Sequence, residues 1–461
     1  MPLMNILILG AGQVGTTAAY SLAREEANEV TIVDRDPEVL RELQDRLDVR
    51  TVVGYAAYPE VLERAGARDA DMVIALTNSD EINMVACEVA SRLFDTPMRV
   101  ARIRAAEYMA HDELYGPEAV AVNVMISPEE LVTTHIEELI YFPGALQVLE
   151  FAKGKVRLVA ALAHEGGALV GRPLRELSKH IPNIECRVVV IYRDGQGIIP
   201  DGDTVVEEDD EVFFIAARKD IRTVLSEMRK LDDPIRRVVI AGGGNVGVRL
   251  AKALESKNQV KVIERSHARS RAVSERLNRA IVLHGDAADE ELLLEENIDS
   301  ADVFVSVTNA DEANILSAML AKRLGAKKVM ALINKPVYAE LVESGTIDIA
   351  ISPSQITLGT LLAHIRRGDV VKVHALRRGA AEAIEAVAHG NEEESRVVGR
   401  TIEQIRLPRG ATISAIVRGD EVLMAHHDTV IQTDDHVILF MVERRQIDEV
   451  ERLFEVGSNF V

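Results

Sequence analysis

The stretch Asn5-Ile6-Leu7-Ile8-Leu9-Gly10-Ala11-Gly12-Gln13-Val14-Gly15 decides the fold. A short apolar run that ends in glycine reads as a buried parallel strand, and the segment from Val14 to Arg24 behind it has the spacing of an amphipathic helix. Between them the glycines stand as G-x-G-x-x-G, and each has its own reason. Gly10 permits the tight turn off the strand, Gly12 leaves room for a pyrophosphate to touch backbone, and Gly15 lets helix and sheet pack closely. The helix start supplies amide donors and the positive end of its dipole. Asp34, at the end of a second strand Val30 to Val33, stands 19 residues beyond Gly15, near the roughly 20 expected of an acid that hydrogen-bonds an adenosine ribose.

Working outward, a helix around Leu40 to Leu47 and a strand Thr51 to Val53 complete a mononucleotide-binding half. The alternation resumes with Met72 to Leu76, a helix from about Asp80 to Phe94, Arg99 to Ile103 and Ala121 to Met125, giving six parallel strands. A carboxylate at position 34 accepts from ribose hydroxyls and repels a 2′-phosphate, which favours NAD(H) or another adenine nucleotide over NADP; Arg35 weakens that exclusion. Thr77-Asn78 closes the fourth strand on the carboxyl edge, where its polar groups either meet ligand or cap the next helix. Arg102 and Arg104 flank the end of the fifth strand, within reach of a phosphate tail or simply at the surface.

The chain contains a near-copy of this half. Gly10 to Gly15 recurs as Gly242-Gly243-Gly244-Asn245-Val246-Gly247, a shift of 232 positions from 10 to 242. Thr77-Asn78-Ser79-Asp80-Glu81 returns as Thr308-Asn309-Ala310-Asp311-Glu312, and Ile126-Ser127-Pro128 as Ile351-Ser352-Pro353. Glu264, followed by Arg265, takes the place of Asp34 and Arg35, whereas Leu332 and Asn334 replace Arg102 and Arg104. The two pockets are therefore unequal. Gly54-Tyr55-Ala56 against Gly285-Asp286-Ala287 is a further difference beside them.

Behind each unit lies a smaller module. After a helix to Ile140, stopped by Pro143-Gly144, strands are expected at Val156 to Ala163, Arg187 to Tyr192 and Glu211 to Ala216, so the module reads as α+β. Gly171-Arg172 pairs with Gly399-Arg400 and Asp209-Asp210 with Asp434-Asp435, so the module is duplicated too. The expected layout is residues 1–125 and 234–352 as Rossmann-type doubly wound α/β domains, with 143–228 and 370–456 as their small α+β companions. Lys230 to Pro234 forms the linker between halves.

The 461 residues carry 53 Lys+Arg against 74 Asp+Glu, a net charge of -21 that repels phosphate backbones and argues against nucleic acid as a partner. No apolar run has the roughly 18 residues of a bilayer span, and the start lacks a leader pattern, so a cytoplasmic chain is expected. Cys87 and Cys186 read as buried thiols, and no metal site is expected; His426-His427-Asp428 reads as surface. No acid-base candidate stands out beside the glycine loops, and no H-E-x-x-H, G-x-S-x-G or P-loop lysine occurs. Binding without turnover fits best, with a soluble NAD-dependent oxidoreductase as the alternative.

The duplicated GAGQVG and GGGNVG loops, the TNSDE and TNADE segments, Gly144 to Val148, Asp209 to Ala217 and Arg377 to Gly390 resemble the regulatory subunits of bacterial Trk-type potassium uptake. That family is built of RCK (KTN) nucleotide-binding domains, each with an RCK C-terminal domain. The resemblance implies a homotetramer, peripheral on the cytoplasmic face of the inner membrane, that docks on a membrane potassium channel subunit of the TrkH type. It implies gating in response to NAD/NADH and ATP/ADP. Carried onto this sequence, the family's nucleotide contacts fall on Gly10 to Val14, Asp34, Thr77, Asn78 and Arg102, and on Gly242 to Val246 with Glu264. Tyr55 departs from the small or polar residue expected after Gly54.

Overall fold

The computed structural model describes residues 4–24, 28–116, 119–230, 233–342, 345–365, 369–376, 381–442 and 446–455. Leu231 and Asp232 of the linker, residues 377–380 of the family-like segment and the expected bounds at 1 and 456 lie outside them. Residues through Val132, with Ile333–Ala339 and Ser352–Leu358, form one compact unit, and the remainder forms a second.

In the first unit β1 (Met4–Leu9), β2 (Asn28–Asp34), β3 (Arg50–Val53), β4 (Met72–Ala75), β5 (Met98–Arg102) and β6 (Val124–Ile126) make a parallel sheet of order β3-β2-β1-β4-β5-β6. Strand β1 lies at its centre, Ile8 opposite Ile32 on one side and Ile74 on the other, and Ile6 to Leu9 are at most 1% exposed. Helices α1 (Gln13–Leu22), α2 (Pro37–Gln44), α3 (Pro59–Arg64), α4 (Asp80–Phe94) and α5 (Ala106–Met109) alternate with the strands. The order reverses direction between β1 and β4, which opens the crevice where ligands of such sheets sit.

Most bounds shift by a residue or two, and two starts that shift further have identifiable reasons. Helix α2 starts at Pro37 because the Asp36 carboxylate accepts from the amides of Glu38 and Val39 and proline suits the first helical position. Strand β6 starts at Val124, not Ala121. The Asn123 amide still donates to the Arg99 carbonyl at 2.9 Å, but the Arg99 amide donates to the Asn123 side chain at 2.8 Å and its guanidinium to the Ala121 carbonyl at 2.7 Å, so side chains take over part of the ladder there.

Helix α6 (Pro128–Tyr141) leads to the first small sheet, β7 (Ala145–Phe151), β8 (Val156–Leu162), β9 (Cys186–Arg193), β10 (Gln196–Ile198) and β11 (Glu211–Ala217), in the order β10-β9-β11-β8-β7. Its pairings are antiparallel, and helices α7 (Leu177–His180) and α8 (Ile221–Met228) accompany it. The second Rossmann-type sheet comprises β12 (Arg237–Ala241), β13 (Gln259–Glu264), β14 (Ile281–His284), β15 (Val303–Ser306), β16 (Lys328–Leu332) and β17 (Ile349–Ile351). Its order, β14-β13-β12-β15-β16-β17, repeats the first. In the chain α9 (Asn245–Leu254), α10 (His267–Arg276), α11 (Glu290–Glu295) and α12 (Asp311–Arg323) alternate with these strands, and α13 (Pro336–Val342) and α14 (Pro353–Ile365) precede and follow β17. The last sheet has β18 (Val370–Leu376), β19 (Ala381–Val387), β20 (Ala411–Arg418), β21 (Glu421–Met424) and β22 (His436–Met441), ordered β18-β19-β22-β20-β21, and α15 (Ile447–Phe454) follows.

The two small sheets share one core within the second unit. Phe151, Leu158, Val190 and Phe213 meet Ala383, Val417 and Phe440, with the Phe213 and Phe440 rings 6.2 Å apart. Strand β19 is buried on both faces: Ala381 and Ala383 join this core, while Ile384 and Ala386 face that of α15. Polar bonds seal the seam, the Ala152 amide donating to the buried Glu385 carboxylate at 2.8 Å and His374 Nε2 lying 3.1 Å from the Glu150 carbonyl.

Candidate nucleotide-binding sites

The loop after β1 is shaped from within. Gly10 has φ +105°, and a Cβ there would press on the backbone of Leu76 and Thr77; a Cβ at Gly15 would stand 1.9 Å from the Gly10 carbonyl oxygen. Gly12 is different, since a Cβ on it would touch nothing within 4 Å. The same division holds in the second copy, where Gly242 has φ +111°, a Cβ on Gly247 would meet the Gly242 oxygen at 1.9 Å, and Gly244 is open. Helices α1 and α9 start on Gly12 and Gly244 with no side-chain cap and no acid in the first turn. Gln13 and Val14, like Asn245 and Val246, are the first residues of these uncapped helices, whose opening amides are orphan donors suited to phosphate. An open approach, orphan donors and a positive helix end fit an adenine dinucleotide's pyrophosphate.

Each acid at the end of the second strand is tied to its loop. Asp34 accepts from the amides of Ala11 at 2.6 Å and Asp36 at 2.9 Å. Glu264, 6% exposed, accepts from Gly243 at 2.9 Å and Ser266 at 2.7 Å, with Arg269 at 4.0 Å. These carboxylates therefore hold the glycine loop in place and keep further lone pairs for a ribose. Arg35 and Arg265 are exposed beside them. An open cavity of about 470 Å³ adjoins the first acid, lined by Arg35, Asp36, Pro37, Val53, Gly54 and Tyr55. Tyr55 stacks on Tyr58 at 5.1 Å, and both are more than half exposed. The unexpected tyrosine thus forms a wall of the pocket.

Thr77 and Thr308 sit across from Gly10 and Gly242, and their hydroxyls are engaged. Thr77 Oγ donates to Asn83 Oδ1 at 2.7 Å, and Thr308 to Asn314 at 2.7 Å. Asn78 and Asn309 are exposed. Arg102 lies 3.2 Å from Glu129, and Arg104 holds Asp80, so neither guanidinium extends freely from β5. Asn83 and Asn314 shape the crevice, a role that the motifs did not assign to them. Each is fully buried, accepts from the threonine amide, and donates to a carbonyl at the end of the neighbouring strand, Arg102 or Leu332, at 2.8 Å. These bonds tie the crevice strands together. The signal was the repeated T-N-x-D-E-x-N, whose last residue the two halves share. Asp80 works alongside, accepting from the amides of Arg104 and Ala105 at 2.8 Å each.

No group of three or more metal-ligating side chains occurs among the described residues. Cys87 is buried as expected, whereas Cys186 at the start of β9 is only half-buried; burial pushes both thiols up to about 12, so both remain protonated.

Residues 6–128 and 238–353 match the family model of the TrkA-N domain, and 158–229 and 392–455 match that of the TrkA-C domain. A Trk system potassium uptake protein TrkA from Halomonas elongata is 59% identical over 457 residues, covering 99% of this chain and 100% of that protein. The chain belongs to the TrkA family. Another TrkA, from Vibrio alginolyticus, is 57% identical over 459 residues, again 99% of this chain and 100% of its own. The crystal structure of the GsuK RCK domain superposes with a TM-score of 0.63 at 18% identity, covering 98% of this chain and 95% of that one. A structure titled GsuK channel bound to NAD gives 0.61 at 18%, with 98% and 79% covered. These two show a shared fold. Four alternating segments, TrkA-N, TrkA-C, TrkA-N and TrkA-C, thus account for the duplicated pairs of sheets.

Proposed function

We propose that the chain is the nucleotide-binding regulatory subunit of a Trk-type potassium uptake system. It gates a membrane potassium channel subunit of the TrkH type in response to NAD(H) and ATP/ADP. The supporting observation is the pair of open, uncapped glycine-loop helices, each with an acid anchored at the loop. Membership of the TrkA family supplies the transport context, and the NAD bound by the GsuK channel, which shares the fold, supports the dinucleotide. No helix among the described residues is long and apolar enough to cross a membrane. In this reading the membrane belongs to the partner, and the protein works peripherally on its cytoplasmic face as a homotetramer.

A ligand shifts a gate only by as much as it prefers one state of the assembly. Two unequal pockets per chain provide two such preferences. Thr77 and Thr308 are held by Asn83 and Asn314, and Asp80 by Arg104, so none of these three stands free as an acid or base, which supports binding without turnover. Titration of the full chain with NADH, followed by its fluorescence, tests both points. Saturable binding with NADH left unoxidised by added carbonyl compounds is expected. Turnover of NADH would make the chain an oxidoreductase instead.

A further inference from the structure

The two halves act as internal controls for one another at the rim of the strand-end acid. Residues 34–41 carry three carboxylates, Asp34, Asp36 and Glu38, and two arginines, Arg35 and Arg41. The matching residues 264–271 carry one carboxylate, Glu264, and three arginines, Arg265, Arg269 and Arg271. Helix α10 has no acid in its first turn, whereas α2 has Glu38 there and Asp36 as its cap. The next strand adds to the contrast. Val53 pairs with Asp34 in the first sheet, but His284 pairs with Glu264 in the second.

These groups converge. The His284 and His267 rings meet edge to face at 5.1 Å, and His284 Nε2 lies 3.2 Å from the Arg265 carbonyl. Arg269, 57% exposed, stands 4.0 Å from Glu264 Oε2. Glu264 is anchored to two amides as Asp34 is but is buried where Asp34 is half-buried, so the exposed rim of the second site is formed by Arg265, His267, Arg269 and His284. Asp286, in the place of Tyr55, turns its carboxylate to the Ala288 amide at 2.9 Å.

Resting on the nucleotide reading above, we propose that the second pocket selects an adenine nucleotide phosphorylated at the 2′-position of its ribose, the NADP(H) class, while the first selects the 2′-hydroxyl. A dianion at that position meets guanidinium and imidazole donors in the second domain and carboxylates in the first. The sequence rule that a strand-end acid excludes NADP thus holds for the first domain and yields to the cationic rim in the second.

The test is calorimetric titration of the full chain carrying Gly12→Asp, which places a carboxylate in the open phosphate position of the first site. The probes are adenosine 2′,5′-bisphosphate, adenosine 5′-monophosphate and NADH. The bisphosphate should bind about tenfold or more tightly than the monophosphate, and His267→Ala with Arg269→Ala should bring that ratio to about one. Equal or weaker binding of the bisphosphate, or a preference that survives the double substitution, would overturn the proposal while NADH binding upholds the pocket. Loss of all three ligands, with Gly244→Asp removing nothing more, would overturn the second pocket itself and this selectivity with it.

Discussion

Gly12 and Gly15 separate binding from folding at the scale of one atom. Gly15→Ala drives a methyl into the Gly10 carbonyl and should destabilise the first domain by about 3 kcal/mol or more, read as a lower thermal midpoint. Gly12→Asp meets open space at an unstrained φ of -69°, so the midpoint should hold while nucleotide titration of the first site fails. Asn83→Ala removes a buried side chain that engages Thr77 and Arg102, and should cost about 1–3 kcal/mol by denaturant titration. The glycines and acids of both pockets were legible because spacing alone expresses their constraint. The links of Arg102 to Glu129 and of Asn83 to two carbonyls were not, because they depend on which side chains the fold brings across 27 or 19 positions.

Among elements, the duplicated Asp-Asp pair has a structural cause. Asp209 and Asp434 both turn the chain at φ +66°, and Asp210 and Asp435, buried at the following strand, each receive Arg193 or Arg418 through two nitrogens at 2.8–2.9 Å. Asp210→Ala removes the bidentate acceptor of Arg193 and the acceptor of the Glu207 amide, leaves the arginine Glu207 and the Val205 carbonyl, and should cost about 1–3 kcal/mol, seen as a shifted urea midpoint. Phe213→Ala opens the core shared by the two small sheets and should cost about 3–5 kcal/mol. The long parallel strands could be read from the sequence because they are buried runs between glycines. Strands β7 and β10 escaped for different reasons: β7 begins directly after Pro143-Gly144, a stop signal that masks a start, and β10 has only three residues, Gln196 to Ile198.

For the whole molecule, acid stability carries a signature of the second unit. Burial pushes the imidazoles of His135 and His374 down, to about 4 and about 3. Above about pH 6.5 both are neutral folded and unfolded; below it the unfolded chain takes protons that the folded chain refuses. Stability should therefore fall as pH drops from about 6.5 toward about 4, and His135→Gln with His374→Gln should flatten that slope in urea titrations. The duplication that organises the molecule was visible from the repeated loops, whereas the packing of one small sheet on the other was not, since its apolar faces look the same in sequence whichever surface covers them. The central claim is that nucleotide held on the glycine loops controls a potassium-conducting partner. Potassium flux into vesicles containing a TrkH-type subunit and this chain, with and without NADH or ATP, measures it directly. Nucleotide-dependent flux with the native chain, abolished by Gly12→Asp together with Gly244→Asp, is the predicted result; flux that responds to nucleotide equally with the doubly substituted chain would contradict it.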